Sequence, residues 1–312
     1  MPTIMTTTKN TFNTFEFLHL KKNLPFEVVQ IILCHAYKGD GITAIQSNYH
    51  WLFCMDEFYP LSNAKETFDL AIKEGLLQVV QYMYVKEYSN IKNQQVFDLA
   101  VEYGHVDVVD WLFKQGKKPQ SKWECVRKCL RKGNLTMLKW LHSHDLYVDR
   151  NLNVAVGYGH FDIVKWLIID LNEKCDDCTL GYAAEKDDIK TLCFLHKHTS
   201  HTFIGQRTAM FYAARNGHLE ILNWLNANHY KCDHLAMNTA AANGQLEALQ
   251  WLHANRREGC TERAMYMAAV NGHLEVVQWL HANRSEGCIK TALEKASENG
   301  HRKLVKWLKK VV

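Results

Sequence analysis

Seventeen histidines and ten cysteines in 312 residues are the side chains that could carry chemistry, as metal ligands, acid–base groups or nucleophiles. "CDDC" at 175–178 has the spacing of half a zinc site. A tetrahedral site needs a second pair, and the nearest candidates are Cys193 and His196. The histidines are spaced in a different way. His105, His160, His218, His273 and His301 each follow a glycine, and His142, His196, His253 and His281 each follow an aromatic–leucine pair. An active site needs each group once, whereas a residue that recurs at a fixed place is set by a recurring structural unit. These nine are expected to be structural, either hydrogen-bonding across a turn or lying partly exposed on a helix. Cys175, Cys260 and Cys288 stand nine residues after their aromatic and Cys232 stands eight after its own, which predicts a ladder of small buried loop residues and free thiols. No glycine-rich phosphate loop, H-E-x-x-H or G-x-S-x-G occurs. The expectation is therefore no enzymatic activity, no cofactor and no metal.

The elements that would place these residues are copies of one another. "AAVNGHLEVVQWLHANRSEGC" (268–288) differs at only five of 21 positions from the stretch beginning 28 residues earlier at Ala240. In the same register a Gly, or once an Asp, stands seven residues before an aromatic in nine places, from Gly75/Tyr82 through Asp187/Phe194 to Gly300/Trp307. Four residues before each turn residue the side chain is small: Ala71, Ala100, Cys129, Ala155, Ala183, Ala213, Ala240, Ala268 and Ala296. Such uniformity predicts a helix contact too close for anything larger. One helical turn upstream lie Phe68, Phe97, Val126, Leu152, Leu180, Met210, Met237, Met265 and Leu293, a buried stripe. Each unit reads as helix ("TERAMYMAAV"), left-handed turn ("NG"), helix ("HLEVVQWLH") and loop ("ANRSEGC"). One such hairpin cannot bury its own apolar face, so the units must stack.

These residues resemble the ankyrin-repeat family, whose unit reads roughly T-P-L-H-x-A-A-x-x-G-H-x-x-V-V-x-x-L-L; "TALEKASENGHRKLVKWL" (291–308) follows it throughout, with Ala292 at the Pro place and Glu294 at the His place. The family's usual period is about 33 residues, so some five are missing here from the loop that would form the β-hairpin finger. Trp-Leu-His in place of Leu-Leu resembles the short-repeat arrays of oomycetes, amoebae and their large DNA viruses. The resemblance implies an all-α chain, an α-solenoid of about nine helix-turn-helix repeats over residues 62–312. It also implies a protein partner, of unknown identity, on a concave surface. The implied contacts lie just before each first helix, at Trp123, Arg207, His234, Glu262 and Lys290, and two before the turn residue, at Arg131, Glu185, Arg215 and Glu298.

Residues 1–61 do not fit the register, and they divide into a flexible N-terminus (1–20) and a helical region (21–61). "LPFEVVQIILCHAY" (24–37) resembles the opening of an F-box, with Leu24, Pro25, Glu27, Val28, Val29, Ile32 and Leu33 on the pattern and Trp51 in the closing place; Ser47 and Asn48 depart from it. That likeness implies a substrate receptor that binds a ubiquitin-ligase adaptor through Leu24, Pro25, Ile32, Leu33 and Trp51. The alternative is a plain helical cap.

Apolar residues make up 47%, charged residues 22%, and only four are Pro, which suits an ordered helical chain. The formal charge of +4 is too evenly mixed with acids for a nucleic-acid-binding array, which would need a continuous basic stripe. No apolar run of 18 residues occurs and "MPTIMTTTKN" lacks a secretory core, so neither membrane partner nor export is expected. The expected location is intracellular, cytoplasmic or nuclear, or the host cytoplasm for an array of viral type. At the C-terminal end Arg302, Lys303, Lys306, Lys309 and Lys310 place charge where other units show apolar surface to a neighbour, as a capping repeat does.

Overall fold

The computed structural model describes residues 64–85, 95–176, 178–198 and 205–312, and in these it places eighteen α-helices and no strand. They fall into two compact units, one ending at Val148 and the other running Asp149–Val312. The segment 21–61, with the F-box-like residues, lies outside the described residues, as does all of 1–20.

Among the described residues the first unit holds three helix pairs: α1 (Ala64–Lys73) with α2 (Leu77–Val85), α3 (Gln95–Tyr103) with α4 (Val106–Lys114), and α5 (Lys122–Lys132) with α6 (Leu135–Ser143). The second holds six. These are α7 (Leu152–Tyr158) with α8 (Phe161–Ile169), α9 (Thr179–Glu185) with α10 (Ile189–His198), and α11 (Gln206–Asn216) with α12 (Leu219–Ala227). Beyond them lie α13 (His234–Ala242) with α14 (Leu246–Asn255), α15 (Glu262–Val270) with α16 (Leu274–Asn283), and α17 (Ile289–Glu298) with α18 (Arg302–Val311). Within each unit first helices pack on first helices of adjacent pairs.

The way α5 begins and ends shows how the repeat is built. Ser121 is extended and its hydroxyl accepts the amide of Glu124, which starts the helix. Gly133 ends it in the left-handed region at φ 73°, its amide donating to Leu130 while the next amide, Asn134, donates back to Cys129. The carbonyl of the small residue accepts that returning amide in all nine repeats, at 2.8–3.3 Å, from Leu76 to Ala71 through His301 to Ala296. The small residue thus sits in the last turn of each first helix, where the chain folds back. All nine are at most 1% exposed, as the spacing predicts.

The upstream stripe is buried from Phe68 to Met265, but Leu293 is half-exposed. The loops are shorter than expected at their start, because Ala282 and Asn283 still belong to α16, whose end is closed by the Arg284 amide on the Leu280 carbonyl. Six residues, 256–261, join α14 to α15 without a strand, so the finger is reduced to a turn. Among the described residues no helix is long and apolar enough to cross a membrane.

Candidate protein-binding surface

Sequence reasoning leaves the recurring histidines either a hydrogen bond across a turn or a partly exposed helix position, and for four of the post-glycine set the structure shows a bond to another repeat. His105, His218, His273 and His301 reach back to the preceding pair, onto the carbonyls of Lys73, Glu185, Ala242 and Val270 at 2.7, 3.1, 3.1 and 2.7 Å. A carbonyl only accepts, so Nε2 carries the proton. Each acceptor is two residues before the preceding turn residue, an orphan carbonyl at a helix end. The ring satisfies it and clips one repeat to the one before. The second set of histidines does the same on the other layer. His196, His253 and His281 meet Trp224, Trp279 and Trp307 of the next repeat edge-on, at 5.2, 5.1 and 5.8 Å. These seven histidines are inter-repeat joints, which is why they recur.

Polar joints link the loops as well. Asn238 in α13 donates to the Thr261 hydroxyl and accepts its amide, each at 2.9 Å, while Thr261 caps α15. In "CDDC", Asp176 accepts the amides of Cys178 and Thr179 at 2.9 and 3.1 Å, so the motif starts α9. Cys175 is half-buried and its thiol is pushed up to about 11 by burial. Among the described residues no three His, Cys, Asp or Glu side chains are grouped as metal ligands would be.

The predicted cysteine ladder holds for Cys232 and Cys260, both 9% exposed, but not for Cys288, which is exposed. Cys232 and Cys260 lie against the Arg256–Glu258 and Arg284–Glu286 pairs of the following loop. Thr291, through its hydroxyl and amide, hydrogen-bonds the Cys288 sulfur and holds its thiol below the ordinary range. Burial pushes Cys129 up to about 12 and Cys125 higher still. The thiolate is the nucleophile, so among the described cysteines Cys288 is expected to react first with iodoacetamide in the native protein, and Cys125 and Cys129 last. Peptide mapping by mass spectrometry checks the order, and equal rates at Cys288 and Cys129 would contradict it.

With the joints accounted for, the remaining positions on the first helices are variable. Trp123, Arg131, Arg207, Arg215, His234, Glu262, Lys290 and Glu298 are exposed and Glu185 is half-buried. The residues placed just before each first helix in fact sit in its first turn. Ser121, Asp233 and Thr261 occupy the cap positions that precede Lys122, His234 and Glu262, so the helix begins earlier than the spacing suggests. Trp123 and Arg131 share α5; Arg207 and Arg215 share α11; Lys290 and Glu298 share α17. Glu185 gives its backbone carbonyl to the side chains of Asn216 and His218, which makes it partly a joint.

Sequence reasoning missed Tyr103, Tyr158, Leu235 and Tyr266, which are 37–43% exposed. A signal for them exists when the repeats are set side by side. Tyr266 stands where its equivalents are Asn238 and Glu294, one residue past the buried stripe. It lines an open cavity of about 560 Å³ with Glu262, Arg263, Met267, Cys288 and Thr291. In the first unit, Lys128 hydrogen-bonds Glu102 at 2.7 Å and holds that carboxyl below the usual range. Exposed aromatic and charged side chains on rigid helices are what protein interfaces are made of.

Comparison with known families agrees with this arrangement. The family model described as ankyrin repeats matches in three copies, at residues 97–176, 152–238 and 237–311. No curated protein matches the sequence.

Proposed function

The chain belongs to the ankyrin-repeat family, and from that premise we propose that it is a recognition scaffold that binds a partner protein on its first helices and loops and catalyses no reaction. One observation carries the reading. Residues that build and join the repeats recur, as the small Ala/Cys residues of the turns and the clipping histidines do, whereas Trp123, Arg131, Glu185, Arg207, Arg215, His234, Glu262, Lys290 and Glu298 differ from unit to unit. A surface that varies on an invariant frame is suited to one partner.

The test is affinity capture from the native cell with the intact chain and with Arg207→Glu combined with Arg215→Glu, the bound proteins being identified by mass spectrometry. Both arginines are exposed, so helical content should not change. A partner lost by the variant supports the reading. Capture of nothing by the intact chain, or a partner set that charge reversal leaves untouched throughout the first helices, overturns it.

A second, finer reading rests on Leu24, Pro25, Ile32, Leu33 and Trp51: a substrate receptor whose F-box-like segment docks on the adaptor of a cullin-type ligase. The same capture tests it with Leu24→Ala plus Pro25→Ala. Two apolar anchors are worth at least about 2 kcal/mol, roughly a thirtyfold loss of binding. An adaptor present with the intact chain and absent with the double variant supports this reading; no adaptor with the intact chain leaves plain recognition.

A further inference from the structure

A group of charged residues lies in and beside α5 in the first unit. Lys118, Lys122, Arg127, Lys128, Arg131 and Lys132 stand against three carboxylates, Asp98, Glu102 and Glu124. Those carboxylates are engaged, Glu124 with Arg127 at 2.9 Å, Glu102 with Lys128 at 2.7 Å and Asp98 with the Cys125 thiol at 3.3 Å, and the Lys122 and Lys132 ammoniums donate to the Asp145 and Glu102 carbonyls, each at 2.6 Å. The buried side of α5 is Cys125, Val126, Cys129 and Leu130, so Arg127 and Arg131 project away from it. On the same helix stands Trp123, 53% exposed, with the Arg127 guanidinium 5.6 Å from its ring centre. Beside the other end of α5, Tyr103 is 43% exposed and has the Lys132 ammonium 4.8 Å away and that of Lys73 5.9 Å away. An exposed tryptophan costs solvation that the free protein does not recover, and exposed Trp and Arg are the residues most enriched where binding energy concentrates.

We propose that this face of α5 docks an acidic protein segment carrying one bulky apolar side chain, the apolar residue seated on Trp123 and a carboxylate reaching Arg131. The inference deepens the recognition reading and rests on it. The spacing is suitable: from Trp123 to Arg131 is about 12 Å along a helix, the reach of about four residues of extended chain. Net positive charge selects an acidic segment, and the apolar plate selects one with a side chain to bury. Nucleic acid fits less well. Glu102 and Glu124 stand among the cations, where they would repel phosphates, and one face of the Trp123 ring is already covered by Arg127, which limits base stacking.

The experiment is a fluorescence-anisotropy titration of the full chain with a short labelled Asp/Glu-rich peptide bearing one central Leu. Parallel titrations use the same peptide with Asn/Gln for the acids, the acidic peptide with Ala for Leu, an oligothymidylate, and phosphatidylcholine vesicles containing phosphatidylserine. The acidic Leu peptide is expected to bind tightest, and its affinity to fall with salt. Trp123→Ala and Arg131→Glu should each weaken it by about tenfold or more, with Trp123→Phe recovering most of the loss and helical content unchanged in every variant. The proposal is overturned if the Asn/Gln peptide binds equally well, if the oligonucleotide or the vesicle binds more tightly, or if the variants bind like the parent. Should the peptide fail while cellular capture by the intact chain persists and depends on Arg207 and Arg215, this proposal falls and the recognition reading stands; failure of both removes both.

Discussion

Ala240→Leu is expected to lower stability by about 1–3 kcal/mol, through overpacking alone. Ala240 is wholly buried in the last turn of α13, which packs on α11, α14 and α15. Its carbonyl also accepts the Gln245 amide at 2.9 Å, so α13 cannot shift outward to admit a larger side chain without loosening the turn that leads to α14. The added methylenes must then force neighbouring rotamers from their wells, and the interior is too dense to absorb them. Ala254→Leu makes the same chemical change on the exposed side of α14 and should stay within about 0.5 kcal/mol. Denaturant unfolding of the two variants beside the parent measures the difference. Equal midpoints for Ala240→Leu and the parent would mean that the small residue is not a packing requirement and that the repeat register has another cause.

That register is legible in the sequence because it is imposed by contacts that every unit must make. Ala at Ala71, Ala100 and Ala240, and Cys at Cys129, are all explained by one steric demand, and the same demand recurs nine times. The partners of the recurring residues are less legible. Recurrence says that His273 has a fixed role, yet a hydrogen bond across its own turn and one to Ala242 of the preceding pair leave the same trace in the sequence. Only the stacking geometry separates them. The loop cysteines show the opposite limit: Cys260 and Cys288 occupy identical places in near-identical sequence, but one is covered by the next loop and the other is not. Burial in a stacked architecture depends on the neighbouring repeat, and a local pattern does not contain it. Of the candidate binding residues, those two before the turn do lie on the first helices, while the helix starts differ from the sequence reading because Ser121, Asp233 and Thr261 act as caps. The exposed tyrosines escape a sequence reading because an aromatic inside an amphipathic helix reads as core until its angular position is compared with its equivalents.

The turn glycines permit a sharper test of the joint between repeats. Gly272 and Gly300 have nearly the same left-handed backbone, φ +76° and +74°, so alanine at either should carry the same conformational cost, about 1–2 kcal/mol. Their surroundings differ. A Cβ on Gly272 would lie 2.4 Å from Nδ1 of the His301 ring, whereas one on Gly300 would meet nothing within 4 Å. Gly272→Ala must therefore also displace His301, whose Nε2 donates to the Val270 carbonyl at 2.7 Å, and losing that half-buried bond adds about 1–2 kcal/mol. The expected order is a total near 2–4 kcal/mol for Gly272→Ala against about 1–2 for Gly300→Ala. A double-mutant cycle then isolates the joint. In a His301→Ala background the extra cost of Gly272→Ala should vanish, leaving the value measured at Gly300, because the ring it would strike is gone. If the extra cost persists without the ring, the glycine is required by its own backbone alone and the histidine is not the clip that binds one repeat to the next.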